Sequence, residues 1–210
     1  MMRRVFCGAA AVLLGGCGEM RTPAPATRMP PVLAAGHADP VRVAVEEIAQ
    51  AFGDAGASLL NQPARTARAV AQLELVTAEF ARDLRWAPLP GAVRFEMRAA
   101  RLELRAALGT RANADPDAVV RALAAAHASL MRNDIRAAAE ALPATLFEPG
   151  GNVTLSRLAQ PGTLPQARNA TALARDEVNR MQRSRLSGIA GALDPNADAI
   201  SPQSGLGGVR

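Results

Sequence analysis

Between positions 39 and 186 apolar residues recur at steps of three and four, the period of a helix with one buried stripe. Asp39 and Pro40 supply an N-cap and a first-turn proline, and Val41, Val45, Ile48, Phe52, Ala55 and Leu59 carry the stripe onward. A first helix is therefore predicted from residue 40 to about 59. Pro63 restarts the chain, and Val70, Leu73, Phe80 and Leu84 predict a second helix that ends near Trp86, where APLPG breaks it.

The third predicted helix, 92–108, has two apolar faces. Projected at 100° per residue, Val93, Met97, Ala100, Leu104 and Leu108 lie on one side and Phe95, Ala99, Leu102 and Ala106 nearly opposite. A helix apolar on two sides packs between neighbours, so this one is expected at the centre, with Gly109 as its end cap. Asp115 and Pro116 open a fourth helix through Val119, Leu123, Leu130 and Met131, and Asn133-Asp134 turns into a fifth, Ile135 to Leu142. FEPGGNVTLSRLAQPG (147–162) reads as a loop with at most one short turn. A sixth helix follows from Pro165 to Leu186, with a small-residue face of Ala167, Thr171, Ala174, Val178 and Met181. The fold class is all-α, five or six helices in a bundle or an array of helical hairpins. AVVRALAAAHASLMRNDIRAAAEAL (118–142) resembles one helix-turn-helix unit of a tetratricopeptide-like array, but no second copy follows at a 34-residue period.

The flanks differ in composition. Residues 17–38 hold Pro23, Pro25, Pro30 and Pro31 and no helical period, which predicts an extended linker reaching on the order of tens of Å. Residues 187–210 are rich in Gly, Pro, Ser and Asp and read as a disordered tail. At the start, Arg3 and Arg4 precede an apolar run from Val5 to Leu14. At about ten residues this run is far shorter than the roughly 20 of a membrane-spanning helix.

That run ends in Leu14-Gly15-Gly16-Cys17, which resembles the lipobox of bacterial lipoproteins. The resemblance implies alkylation of the Cys17 thiol by a diacylglycerol, cleavage between Gly16 and Cys17, and acylation of the new amino group. Cys7, with Arg4 three residues upstream, does not fit the motif and leaves with the signal. The implied organisation is a signal peptide at 1–16, a lipidated Cys17 and proline-rich linker at 17–38, a helical domain at 39–186 and the tail. Such a mature chain keeps no free thiol and no disulfide. Its acyl chains, at about 0.8 kcal/mol per buried methylene, hold it to a membrane. Gly18, where inner-membrane retention in enteric bacteria uses Asp, favours the outer membrane, facing the periplasm.

Charge and composition remove several function classes. Losing Arg3 and Arg4 with the signal takes the formal net charge from +5 to +3, too little to argue for nucleic acid. All 24 basic residues are arginine, so neither Schiff-base lysine chemistry nor a lysine-bearing phosphate loop is available. Only His37 and His127 offer imidazole, and without thiolates a closed Cys/His zinc site cannot be assembled. No serine stands in a G-x-S-x-G context, and GLGG at 205–208 is followed by only two residues. No metal, cofactor or catalytic residue is implied.

The clearest polar pattern is Arg94, Arg98, Arg101 and Arg105, at steps of 4, 3 and 4 along one edge of the third helix. Planar guanidinium groups in a row suit lipid phosphates or an acidic partner. A solvated edge, or pairing with Glu79 and Asp83 of the preceding helix, would use the same residues. Glu96 and Glu103 share a face seven residues apart, roughly 10 Å, too far for a coupled carboxylate pair. Glu46-Glu47 and Asp176-Glu177 splay apart as sequence neighbours on a helix. His127 falls on or beside an apolar face, as a hydrogen-bonded core histidine does, and Trp86 suits a staple at the hairpin end. The expectation is a lipid-anchored, non-catalytic envelope protein working through contact with another protein. The alternative is a module that binds an anionic or amphiphilic ligand along the arginine edge.

Overall fold

The computed structural model describes residues 29–34 and 36–193, with side chains to residue 187. The expected signal peptide, Cys17 and residues 17–28 of the expected linker lie outside the described residues, as does the tail from residue 194; residues 31–34, expected as extended linker, instead form a short helix whose Leu33 is buried in the core.

The fold is all-α. Among the described residues eight α-helices follow one another: α1 (Pro31–Ala34), α2 (Pro40–Ala51), α3 (Pro63–Arg82), α4 (Gly91–Leu108), α5 (Pro116–Met131), α6 (Ile135–Glu140), α7 (Gly151–Ala159) and α8 (Pro165–Leu193). Two single 3-10 turns, Ala57–Leu59 and Leu84–Trp86, join α2 to α3 and α3 to α4. Proline opens α2, α3 and α5, where its missing N–H would have no helical partner. Asp39, Asp115 and Asp134 cap α2, α5 and α6 by accepting from the backbone N–H three residues on. Gly109 ends α4 in the left-handed conformation, φ 70°.

The helix at the centre is α3, not α4. Every residue from Ala69 to Phe80 is buried, and α2, α4, α5 and α7 pack around it. Buried alanines at 67, 71 and 78 on one side and at 69 on the other let neighbours approach closely. Its polar members are matched from other helices: Gln72 donates to Glu47 of α2, and Glu74 binds Arg105 of α4. α4 buries only Val93, Met97, Ala100, Leu104 and Leu108, with Arg105 at the edge. Its second apolar face turns outward, with Phe95 67% and Leu102 65% exposed.

Element ends also depart from the periodic reading. α2 stops at Ala51, and Ala55 and Gly56 then take positive φ, 57° and 88°. The Asp54 carboxylate accepts from the N–H groups of Gly56 and Ser58 and holds that turn. Leu59 still reaches the core, carried by the 3-10 turn rather than by a continuing helix. α3 ends at Arg82, which leaves Leu84 86% exposed instead of in the stripe. Residues 151–159, expected in a loop, form α7, with Thr154, Leu155 and Leu158 facing inward. α8 continues past residue 186 to Leu193, into the span expected as tail. α5 and α6 pack as the suggested hairpin, though α6 has only six residues.

Candidate functional site

The candidate site is the outer surface of α4 and its two charged edges. The four arginines of one edge fall into different environments. Arg94 turns back over the hairpin, its Nε donating to the carbonyl of Phe80 at 2.9 Å and its terminal nitrogens to Leu89 and Trp86 at 2.8 and 2.5 Å. The first of these contacts satisfies a carbonyl in the last turn of α3, which has no helical donor, and the others hold the connection to α4. Trp86 is buried beneath them, packed on Phe80 with ring centroids 5.0 Å apart, while the Arg85 guanidinium lies 4.5 Å over its ring.

Arg105 points inward. It binds Glu74 through two hydrogen bonds, 2.5 and 3.0 Å, and donates to the carbonyl of Ala114 at 3.1 Å. Both partners are buried, so the ion pair joins α4 to α3 away from water. Arg101 is half-buried, and its Nε has no hydrogen-bond partner among the described residues. Burial pulls its guanidinium pKa down, against the attraction of Glu74. Arg98 alone of the four is fully at the surface. The single strip suggested by the spacing is therefore split between structural and outward-facing members.

On the other edge, Glu103 accepts from the backbone N–H groups of Gln166 and Ala167 at 3.2 and 2.9 Å and so caps α8. Glu96, two turns away, is half-exposed. Between the edges run Ala92, Phe95, Ala99, Leu102 and Ala106, an apolar ridge in which all but the half-buried Ala99 are exposed. Periodicity identifies Phe95, Ala99, Leu102 and Ala106 as an apolar face, but the expectation that this face packs inside is not met.

Other candidates take structural places. His127 is buried, with Nδ1 2.9 Å from the carbonyl oxygen of Ala64, and burial holds its pKa below the ordinary value. A cleft of about 220 Å³ between the start of α2, Trp86 and α8 is lined by Asp39, Arg42, Val178, Met181 and Arg185. A second, of about 180 Å³, lies between α2 and α3 beside the Arg68–Glu47 ion pair. Neither is lined by Arg94, Arg98, Arg101 or Arg105, so arginine edge and helix gaps are separate places. Among the described residues no three His, Cys, Asp or Glu side chains gather as a metal site, and no helix is long and apolar enough to cross a membrane.

No protein-family model matches the chain, and neither does any curated protein or any solved structure.

Proposed function

We propose that this chain is a lipid-anchored, non-catalytic helical module of the bacterial cell envelope that works by protein contact. The observation that supports the contact is the outer face of α4, where an aromatic and a leucine stand more than half exposed in one periodic line with charges on both sides. Scattered apolar residues are common on surfaces; a periodic row along one rigid helix is the pattern of a helix-in-groove or helix-pair interface. The anchor rests on Leu14-Gly15-Gly16-Cys17 and the proline-rich linker, and outer-membrane attachment facing the periplasm is part of the same proposal.

Two measurements test the two halves. Intact mass of the detergent-extracted protein should show loss of residues 1–16 and gain of two or three acyl chains, with the Cys17→Ser variant unmodified; an unlipidated wild type removes the anchor. A photo-crosslinking amino acid at position 95, activated in intact cells, should capture protein. The same probe at exposed Arg136 of α6, away from the ridge, should not. Equal capture, or none, at both positions removes the contact.

A second reading, an anionic ligand on the arginine edge, draws on Arg98 and on the unpartnered Nε of Arg101. Salt-sensitive binding to anionic vesicles that is lost in the Arg98→Gln, Arg101→Gln double variant would mark it.

A further inference from the structure

The outward ridge of α4 carries a pattern that matches itself. Ala92, Phe95, Ala99, Leu102 and Ala106 follow steps of 3, 4, 3 and 4, a 3.5-residue period with alanine at one recurring position and the large apolar residue at the other. Arg98 lies directly along one side of this seam and Glu96 and Glu103 along the other. We infer that the ridge pairs with α4 of a second copy of this chain, the two helices running parallel about a two-fold axis along the seam. The inference rests on the contact reading above and names its partner.

Orientation follows from the charges. In a parallel pair the two-fold axis sets the arginine edge of one helix against the glutamate edge of the other. Arg98 then meets Glu103 of the second copy, five residues further along, the spacing at which flanking charges of parallel two-stranded coils pair. In an antiparallel pair the same operation would set arginine against arginine and glutamate against glutamate, and like charges at close range repel.

The monomer leaves the required groups free for this. Arg98 is exposed and forms no ion pair among the described residues. Glu103 uses its carboxylate to cap α8, but a carboxylate has about four acceptor positions and two are taken here, so the cap fixes the side chain without exhausting it. The alanines at 92, 99 and 106 allow the axes to approach to about 8 Å, and Phe95 and Leu102 supply the knobs. α4 is already folded by its buried face, so pairing does not have to order a helix.

Single cysteines placed in the full chain, in membranes of a bacterial host, distinguish the arrangements. Ala92 and Ala106 are exposed, so Ala92→Cys and Ala106→Cys leave the core intact. Their positions lie about 21 Å apart along the helix, beyond a short bifunctional thiol reagent. The expected result is a crosslinked pair from Ala92→Cys alone and from Ala106→Cys alone, above the unsubstituted chain, and no mixed product when the two are co-expressed with different tags. Arg98→Glu should cut the homotypic product about tenfold or more, and an unchanged product overturns the Arg98–Glu103 contact. A mixed 92–106 product in place of the homotypic ones overturns the parallel arrangement. Absence of any homotypic product, while a photoprobe at position 95 captures a different polypeptide, overturns self-pairing and leaves the contact reading standing. Absence of both removes the two together.

Discussion

The buried ion pair between Arg105 and Glu74 is invisible to periodicity. Arg105 sits one step along a regular arginine edge, and Glu74 is one of several polar residues in a helix with an ordinary stripe. Only the crossing of α3 and α4 brings them together, Glu74 1% and Arg105 8% exposed, with three hydrogen bonds on the arginine. Taking one partner away leaves the other charged and out of water, so Glu74→Ala should cost about 3–5 kcal/mol, read as a lower urea midpoint at unchanged slope. Replacing both, Glu74→Leu with Arg105→Met, should recover most of that loss, because an apolar pair of similar size carries no desolvation penalty. A single-variant loss below about 1 kcal/mol would mean that the pair is solvated in the native protein. The caps, by contrast, were legible. Asp39-Pro40, Asp115-Pro116 and Gly109 act through their own backbone neighbourhood, and each sits where the sequence implies.

At the scale of elements, the same buried pairs explain why the centre of the bundle was misplaced. α3 reads as one-sided because Gln72, Glu74, Thr77 and Glu79 interrupt its second face, yet all four are buried. Two are satisfied by α2 and α4, and Thr77 donates to the carbonyl of Leu73. α4 reads as two-sided because Phe95 and Leu102 are apolar, and nothing in a helical projection tells an interior face from an apolar face left exposed. α7 was hidden by its glycines. Gly150, at φ 83°, stands where a side chain would come within 2.8 Å of the Leu142 carbonyl, so Gly-Gly marks a helix entry here rather than a loop.

The junction of α5 with the start of α3 carries a pH dependence. His127 of α5 is buried, with Nδ1 against the Ala64 carbonyl, and burial lowers its pKa despite that hydrogen bond, with Arg68 adding to the fall. The unfolded chain therefore binds the proton more readily than the folded one below pH 6.5, and the stability this histidine leaves intact at neutral pH is lost as pH falls through that value. Glu79 works in the opposite sense, because burial raises its pKa and its protonated form is the one the fold favours. The thermal midpoint should thus drop from pH 7 to pH 5 more in the wild type than in His127→Gln; parallel pH profiles would place His127 in contact with water.

For the whole molecule, the proposed anchor and the proposed pairing bear on each other. An 18-residue helix is about 27 Å long, and a seam built on one phenylalanine, one leucine and three alanines per copy falls short of the roughly 800 Å² per partner of a stable soluble complex. Free in solution at micromolar concentration, such copies should be mostly apart. Held by lipid to one surface through linkers of a few tens of Å, they meet at an effective concentration nearer the millimolar range, and a weak interface is then populated without any added contact. A variant in which residues 1–17 are replaced by a conventional, cleaved secretion signal would lack the proposed anchor and keep every residue of the bundle. In the Ala92→Cys background it should lose most of the homotypic crosslink seen in membranes while its thermal midpoint stays the same. Equal crosslinking in the two forms would show that the seam is strong enough alone and that the lipid contributes location only.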